Sequence, residues 1–286
     1  VGSEMCIRDR IDTIATRAVD QNEKVLTDLA KKIWENPETA FNEVKACEWT
    51  AEVLRNAGFE VETGYVGMPT AIRAVWGKGH PVIGFLGEYD ALPGLSQKVS
   101  TEKEPVTPGA AGQGCGHNLL GVACLGAALG MKAELEATGK EGTVVFYGCP
   151  AEEVLTGKAF MARGGAFTEL DTAFSWHGST NNHVTLGTMT GLNSAIFHFN
   201  GITAHAGGDP HNGRSALDAV ELTSVGANYL REHVTSDVRI HYVIKEGGTA
   251  PNIVPDKASV WYYVRALSRE AVEDTYRRLV KVAEGA

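Results

Sequence analysis

The sequence predicts an α/β protein whose first domain is built on a mostly parallel sheet. Segments rich in β-branched and aromatic residues alternate with segments whose apolar residues recur at helical spacing, which is typical of parallel α/β sheets. From about residue 191 the order changes to strand, helix, strand, strand, helix, a ferredoxin-like α+β unit without its last strand. The length of 286 residues suits two domains, at roughly 100–200 residues each.

The elements of the first domain follow from local signals. Apolar residues at Val25, Leu29 and Ile33 have helical spacing, and Asn36-Pro37 ends that helix. Residues 91–114 contain three prolines and several glycines, which predicts a long loop of a kind that is often functional. In order, we predict helices over 23–35 and 44–57, strands over 59–66, 70–76 and 81–89, a helix over 117–138, a strand over 143–149, a short helix over 155–164 and a buried strand over 172–176.

The second domain, residues 191–286, is predicted to lack one strand. A sheet without its final strand has an open edge and an exposed core, so we expect the native protein to continue beyond residue 286. Residues 1–10 show no relation to the rest of the chain and are interpreted as a non-native leader, which leaves 11–190 as the first part of the main domain. The predicted elements of the second domain are strands over 194–200, 238–245 and 258–265 and helices over 215–233 and 269–283.

Composition narrows the function classes. The formal net charge of −9, without a Lys/Arg-rich run, argues against a nucleic-acid partner, because phosphate binding needs a basic face. No apolar stretch approaches the ~18 residues of a membrane span, and no secretory signal is visible, so we expect no membrane association. The five scattered cysteines do not form a disulfide framework, which favours the reducing cytoplasm.

Three stretches supply typical metal-ligand atoms where a strand ends or a helix begins. Cys115 and His117 flank a glycine, and residues i and i+2 of an extended segment point the same way. Thiolate and imidazole are good ligands for zinc and similar metals. In an adjacent Glu pair, one carboxylate can bind metal while the other handles protons. The stretches predict a divalent-metal hydrolase, and they are Gly114-Cys-Gly-His-Asn118, Pro150-Ala-Glu-Glu153 and Ser175-Trp-His177.

Each of these residues also has a plainer interpretation. Cys115 and His117 could be a buried thiol and a helix-capping imidazole, the Glu pair a solvated acidic turn, and His177 a core histidine. Four further residues are weaker candidates, each with a structural alternative. They are Asp90, which orients a ligand imidazole or starts a loop; His205, which donates to an oxyanion or lies in a loop; and Asn252 and Arg265, which bind a substrate carboxylate or are a turn Asn and a surface Arg.

At these residues the chain resembles the M20 family of metallopeptidases and amidohydrolases, in particular the branch that uses Cys-Gly-His and includes the aminobenzoyl-glutamate hydrolases. The resemblance extends from about residue 20 to the end, and its motifs are specific in combination. The stretches that carry it are Gly87-Glu-Tyr-Asp-Ala-Leu-Pro-Gly-Leu-Ser-Gln97, Gly114-Cys-Gly-His-Asn-Leu-Leu-Gly121, Phe146-Tyr-Gly-Cys-Pro150, Ala204-His-Ala206 and Gly213-Arg-Ser-Ala-Leu-Asp-Ala-Val220.

The resemblance implies a role for each candidate. The first domain would be a discontinuous metallopeptidase catalytic domain, and the second an inserted lid that mediates dimerisation. One or two manganese or zinc ions would be held by Cys115, His117, Glu153 and His177. Glu152 would be the general acid/base, and Asp90 would orient a ligand. The remaining implied roles are oxyanion stabilisation by His205 across a homodimer, and substrate-carboxylate binding by Asn252 and Arg265.

Two departures qualify the resemblance. Many relatives carry His-x-Asp at Glu88-Tyr89-Asp90, so that metal ligand is expected to be absent here. Asn118 stands where many members of the branch have Asp. The last His ligand of the family is expected beyond residue 286, so we expect this chain by itself to be inactive or nearly so.

The expected activity is metal-dependent hydrolysis of the amide bond of an N-acyl or N-aroyl amino acid, with p-aminobenzoyl-glutamate as the leading substrate. The alternatives are a related M20 dipeptidase, an N-acyl-amino-acid deacylase, or a metal-free binding protein that keeps the fold. A second, related subunit is a further possible partner.

Overall fold

The computed structural model describes residues 13–181, 184 and 187–286. The chain divides into two compact units, Val1–Asn182 and His183–Ala286, and each is described by itself. The leader predicted over residues 1–10 lies outside the described residues.

The first unit contains a five-stranded sheet in the order β1-β2-β4-β3-β5. Strands β3, β4 and β5 run parallel, whereas β1 pairs with β2, and β2 with β4, in antiparallel fashion. Its elements are α1 (Ile14–Gln21), α2 (Glu23–Glu35), α3 (Val44–Asn56), β1 (Glu60–Thr63), β2 (Ile72–Lys78), β3 (Val82–Glu88), α4 (His117–Thr138), β4 (Gly142–Cys149), α5 (Gly157–Arg163) and β5 (Thr172–Phe174).

The sheet is mixed rather than mostly parallel, and the connection lengths explain why. Residues 64–71 link β1 to its neighbour β2, and residues 79–81 link β2 to β3, which lies on the other side of β4. Both links are too short for the crossover that parallel strands require, so the chain reverses direction at each. Helices α4 and α5 supply these crossovers for β3, β4 and β5. The α/β class is therefore confirmed, with the parallel strands confined to the half of the sheet that carries the candidate site.

Helix α4 is the central helix of this unit. It packs against β3 and β4 on one side and against α1 and α2 on the other. Its sequence is rich in Ala and Gly, and Leu120, Leu125 and Ala128 are buried in the main core together with Val144 and Phe146 of β4. The small residues let neighbouring elements approach closely, which explains why a helix with little amphipathic character is stable here.

Strand β5 differs from its prediction as a buried strand over 172–176. It spans three residues, all exposed, and pairs through them with β3. An apolar sequence suggests burial, but an edge strand has a sheet neighbour on one side only, and that leaves Phe174 54% exposed. Helix α1 was not predicted; its capping box at Thr13 and Thr16 was the available signal.

The second unit has a three-stranded antiparallel sheet in the order β6-β8-β7, with two helices. Alternate residues of β8 are buried, and Val260, Tyr262 and Val264 pack with residues of both helices. The order βαββα is the one predicted. The elements are β6 (Gly191–Asn200), α6 (Ala216–Leu230), β7 (Arg239–Glu246), β8 (Lys257–Ala266) and α7 (Arg269–Gly285).

The expectation that no apolar segment is long enough to span a membrane is wrong, because one helix is both long enough and apolar enough. Helix α4 has 22 residues and is apolar enough to pass this test, and 61% of its apolar window is buried inside the protein. Its contacts with β3, α1 and α2 identify it as a core helix.

The core position of α4 gives a stability prediction. Leu125 is fully buried, so Leu125→Ala should lower the free energy of unfolding by about 2–5 kcal/mol, because the substitution removes buried methyl groups and leaves a cavity. Leu119 on the same helix is 56% exposed, and Leu119→Ala should change it by less than about 0.5 kcal/mol. Urea denaturation followed by circular dichroism measures both, and equal effects would contradict the assigned packing of α4.

Candidate metal centre

The candidate site lies at the carboxyl ends of the three parallel strands, where sites form in open α/β sheets. Glu88 is the last residue of β3 and Asp90 follows it, while Glu152 and Glu153 follow β4. Three further side chains complete the site: His177, which follows β5, Cys115, which precedes α4, and His117, which is the first residue of α4.

Close backbone contact brings the start of α4 to the end of β3. A Cβ atom on Gly121 would lie 2.2 Å from the backbone oxygen of Glu88, so only glycine allows this approach. Gly116 has φ +84°, a conformation that favours glycine, and it turns the chain between Cys115 and the helix. The glycine between Cys115 and His117 therefore allows the positive φ with which the chain enters α4.

The first group of possible ligands consists of Cys115, His117 and His177. One ligand atom from each lies within 4.8 Å of the other two. Cys115 Sγ is 3.1 Å from His177 Nε2. A thiol and two imidazoles are the donor types that zinc prefers.

Hydrogen bonds define which nitrogen of each imidazole is available to a metal. His117 Nδ1 lies 3.0 Å from both the backbone oxygen and Oδ1 of Asp90, two acceptors, so the proton is assigned to Nδ1. His177 Nδ1 likewise donates to the backbone oxygen of Gly178 at 2.9 Å. In the neutral form of each ring, Nε2 is therefore the nitrogen available to a metal, as in metal-binding histidines held by a carboxylate or carbonyl.

The second group consists of Glu88, His117 and Glu152, whose ligand atoms also lie within 4.8 Å of one another. His117 Nε2 is 3.1 Å from Glu88 Oε2 and 3.6 Å from Glu152 Oε2. The other oxygen of Glu88 accepts a hydrogen bond from Lys158 Nζ of α5. His117 is the residue that the two groups share.

Three buried polar atoms of the site have no hydrogen-bond partner among the described residues: His117 Nε2, Glu88 Oε2 and Glu153 Oε1. All three accept rather than donate hydrogen bonds when the carboxylates are ionised and Nδ1 carries the imidazole proton. A cluster of buried acceptors that lack donors is costly unless a cation binds it. The residues present therefore fit a divalent metal ion.

The turn that carries the Glu pair is fixed by two buried carboxylates. Ala151, at the start of the turn, has φ +57°, and its N–H donates to Glu43 Oε1 at 2.7 Å. The Glu153 N–H donates to Asp90 Oδ2 at 2.8 Å. The Glu152 side chain remains 31% exposed, whereas that of Glu153 is 15% exposed. Glu152 therefore has better access to solvent than Glu153 does.

Burial and neighbouring negative charges raise the pKa values of two acidic groups of the site, Cys115 and Glu153. Burial raises the pKa of the Cys115 thiol to about 11, and the nearby carboxylate of Glu153 adds to the effect. Burial also raises the pKa of Glu153, an effect that His117 opposes. For His117 itself burial lowers the pKa, but Asp90 and Glu88 outweigh it and raise the pKa overall. Without a cation, the site therefore favours protonated groups.

The same acidic surroundings keep a proton on Lys158. Burial acts to lower the pKa of its ammonium group, but the neighbouring Cys149 and Glu88 outweigh burial and raise the pKa overall. Lys158 therefore stays charged beside Glu88.

Three predicted site residues lie in the second unit. His205 Nδ1 accepts from the N–H groups of Gly207 and Gly208, at 3.2 and 2.9 Å, which assigns the ring proton to Nε2. The segment of His205 pairs with that of Asn252, since the Ala206 N–H donates to the backbone oxygen of Asn252 at 3.0 Å. His205 is exposed, so its Nε2–H is available as a donor.

Arg265 does not lie near Asn252 within the unit, as one shared substrate carboxylate would require. Asn252 precedes β8 and Arg265 is near its end, and the eight residue-to-residue steps from Lys257 to Arg265 span about 26 Å at ~3.3 Å each. The guanidinium of Arg265 lies 5.7 Å from the Tyr263 ring centre, and its Nε is buried without a partner among the described residues. Asn252 and Arg265 are close in the sequence, but most of the extended strand β8 lies between them.

Asn118 has a structural role that explains its identity. Its side-chain amide donates to the backbone oxygen of Ala30 at 3.1 Å, and its backbone N–H donates to Gln113 Oε1 at 3.1 Å. An Asp carboxylate could not donate to Ala30. Asn118, in place of the Asp expected from the resemblance, therefore adds a hydrogen bond between α4 and α2.

The sequence predicted no ligand at Glu88, and it gave no role to Lys158 or Glu43. Glu88 had two signals, its place at the end of an apolar strand and its alignment with a ligand position of many relatives. Glu43 and Lys158 gave none, because the contact of each with the site depends on the tertiary fold.

Known proteins resemble this chain over most of its length. Residues 188–286 match the M20 peptidase dimerisation domain. The chain is 46% identical over 272 residues to a p-aminobenzoyl-glutamate hydrolase subunit of Escherichia coli K12, covering 94% of this chain and 56% of that protein. It is 33% identical over 277 residues to the Xaa-Arg dipeptidase of Mus musculus, covering 91% of this chain and 59% of the dipeptidase.

Among solved structures, a putative aminohydrolase from methicillin-resistant Staphylococcus aureus matches with a TM-score of 0.74 at 20% identity. The match covers 96% of this chain and 72% of that one, and it shows a shared fold. The chain thus spans somewhat more than half the length of the two curated relatives, 56% and 59%.

The raised pKa of Cys115 gives a testable pH dependence. In the metal-free chain the thiol should be protonated at pH 7, so alkylation by iodoacetamide should be slow and should accelerate about tenfold per pH unit up to about pH 11. Cys47, Cys124 and Cys149 are buried and should react much more slowly in the folded chain. Peptide mass mapping in a Cys6→Ser background measures the rate at each site. A rate that levels off near pH 8.5 would contradict the shift.

Proposed function

We propose that the chain is a member of the M20 peptidase family, as its matches support, and that it forms the metal-binding part of an amidohydrolase that cleaves N-acyl or N-aroyl amino acids. The observation that carries the proposal is the convergence of two imidazole Nε2 atoms and a thiol, beside buried carboxylate oxygens without partners among the described residues. Such a donor set suits a divalent metal and has no evident structural purpose without one.

The leading substrate is p-aminobenzoyl-glutamate, which would be cleaved to p-aminobenzoate and glutamate. The 46% identity to a subunit of the hydrolase named for this substrate supports it. A dipeptide is the alternative, supported by the 33% identity to the Xaa-Arg dipeptidase. A cleft of about 390 Å³ is lined by Trp34, Leu95 and Gly114 among others, and it is large enough for an aromatic acyl group. Gly114 directly precedes Cys115 in the chain.

Cys115, His117, Glu153 and His177 are proposed to hold one or two divalent ions, manganese or zinc. When bound, such an ion would lower the pKa of water towards ~7 and polarise the amide carbonyl. The chain prepares this binding by holding the proton of each neutral imidazole on Nδ1, through Asp90 and the Gly178 carbonyl, which leaves Nε2 for the metal. The partly buried Glu153, with its unpartnered Oε1, suits the role of ligand better than that of proton carrier.

Glu152 is proposed as the general acid/base. Its Oε2 lies 3.6 Å from His117 Nε2, so the carboxylate borders the cluster, and its greater exposure gives a substrate and water access to it. It would take a proton from the attacking water and pass this proton to the nitrogen of the leaving amino acid. The neighbouring turn, held by Glu43 and Asp90, would keep the carboxylate in place during both transfers.

The second unit is proposed to contribute to the site of another copy in a homodimer, which the match to a dimerisation domain supports. His205 Nε2–H would stabilise the oxyanion that forms on the substrate carbonyl. Asn252 and Arg265 would bind the substrate carboxylate. Because Asn252 precedes β8 and Arg265 lies near the end of that strand, residues from two copies of the chain would suit this role.

We further propose that the protein works in the cytoplasm. Cys47, Cys124 and Cys149 are free, buried thiols, and Cys115 must be reduced to bind metal. A reducing compartment preserves this state.

The roles of the two glutamates separate in one experiment on the complete gene product, since the chain spans only part of its relatives' length. We expect glutamate release from p-aminobenzoyl-glutamate to depend on added manganese or zinc. Glu152→Gln should retain the bound metal but lower kcat by about 10²–10⁴-fold, because proton transfer is lost. Glu153→Gln should lower the metal content itself. Glu136→Gln, an exposed residue of α4, is the control and should change neither quantity.

Three results would contradict this account. Loss of metal in Glu152→Gln with retention in Glu153→Gln would reverse the two roles. Metal binding without turnover of p-aminobenzoyl-glutamate would move the substrate to another N-acyl amino acid or dipeptide. Absence of both metal and turnover in the wild-type protein would favour a binding protein that keeps the fold.

A further inference from the structure

Glu88 ends β3 with a carboxylate that is almost fully enclosed. Its side chain is 7% exposed, and burial of an ionised carboxylate is costly unless both oxygens find partners. One oxygen, Oε1, accepts from Lys158 Nζ. Because Lys158 belongs to α5, which follows the Glu152-Glu153 turn, this ion pair joins the ends of two neighbouring parallel strands.

The other oxygen, Oε2, has no hydrogen-bond partner among the described residues. It lies 3.1 Å from His117 Nε2, an atom that is equally buried and equally without a partner there. In the neutral imidazole, Asp90 holds the proton on Nδ1, which leaves Nε2 as an acceptor. A cation that both atoms can bind gives each of them a partner.

Glu152 adds a second oxygen, and a third possible ligand atom, to the same space, since its ligand atom lies within 4.8 Å of those of Glu88 and His117. This side of His117 is rich in oxygen donors, whereas the side of Cys115 and His177 offers sulfur and nitrogen. Carboxylate oxygens suit hard divalent ions such as Mn²⁺, and thiolate suits Zn²⁺.

We propose that Glu88 is itself a ligand of the divalent metal, and that Lys158 positions it by holding the oxygen that faces away from His117. This inference rests on the proposed metal centre and adds to it a residue at which the sequence predicts no ligand. Glu88 binds through Oε2, while the ion pair with Lys158 keeps Oε1 from the metal. Lys158 acts through Glu88 and is a positioning residue.

The test titrates Co²⁺ into the metal-free chain and follows the visible absorption bands together with the near-ultraviolet thiolate band of Cys115. Glu88→Gln keeps the side-chain volume but removes the charge, and it should weaken Co²⁺ binding by at least about 10–100-fold while the thiolate band remains at saturation. Glu88→Asp keeps a carboxylate and should give intermediate affinity. Glu169→Gln is the matched control, because Glu169 is also ion-paired, with Arg73 at 2.6 Å, and should bind Co²⁺ as wild type does.

Lys158 has its own signature in the same titration. Lys158→Met frees Oε1, so both oxygens of Glu88 can bind, and the visible bands should lose intensity as the coordination number rises. Lys158→Arg should restore the wild-type spectrum, because it again offers a charged donor. Thermal unfolding of each variant identifies any that has lost its fold, and Glu88→Asp then gives the result for position 88.

The outcomes separate this inference from the proposed function. Co²⁺ affinity and spectrum unchanged in folded Glu88→Gln, beside a wild-type chain with a thiolate band, would overturn the role of Glu88 and leave the metal centre intact. A wild-type chain that binds no Co²⁺ would overturn both. Weaker binding in Glu88→Gln than in Glu169→Gln, with the thiolate band retained, supports the proposal.

Discussion

The candidate site depends above all on the buried carboxylate of Asp90. One of its oxygens holds His117 Nδ1 at 3.0 Å, and the other accepts the backbone N–H of Glu153 at 2.8 Å. A single side chain thereby ties the end of β3 to the start of α4 and to the turn after β4. It also determines the tautomer of His117, so the nitrogen that faces the other ligands is the unprotonated one. Loss of this carboxylate would affect the position, the protonation and the partners of the ligands together.

The fold makes this arrangement possible through the direction of its strands. Only β3, β4 and β5 of the first unit's described strands run parallel, and their carboxyl ends meet where the ligands lie. Gly121 lets α4 approach the last residue of β3 within a distance that no other residue permits. The buried Glu43 fixes the Ala151 turn, which carries both Glu152 and Glu153. These contacts of the first unit place the end of β3, the start of α4 and the turn after β4 close together.

Sequence patterns predicted the elements of this fold more successfully than the contacts between side chains. Helix α4 was predicted to the residue, because its long apolar run starts after a Gly-rich turn and ends at Gly139. The exposure of β5 could not be predicted, since it depends on whether another element covers the strand. The ion pair of Glu88 with Lys158 could not be predicted, because 70 residues separate them and only the fold brings them together. The length of β8 that lies between the Asn252 segment and Arg265 likewise becomes visible only in the structure. The roles of the site residues remain predictions, which the geometry makes specific enough to test.

The central claim is that Cys115 and His117 bind one metal ion together with His177. X-ray absorption spectroscopy at the zinc edge, on the chain loaded with one equivalent of Zn²⁺, tests this most directly. The account predicts one sulfur neighbour at about 2.3 Å and nitrogen or oxygen neighbours at about 2.0–2.2 Å, including the outer-shell scattering of imidazole rings. The sulfur neighbour should disappear in Cys115→Ser. A zinc environment of nitrogen and oxygen alone in the wild-type chain would contradict the account.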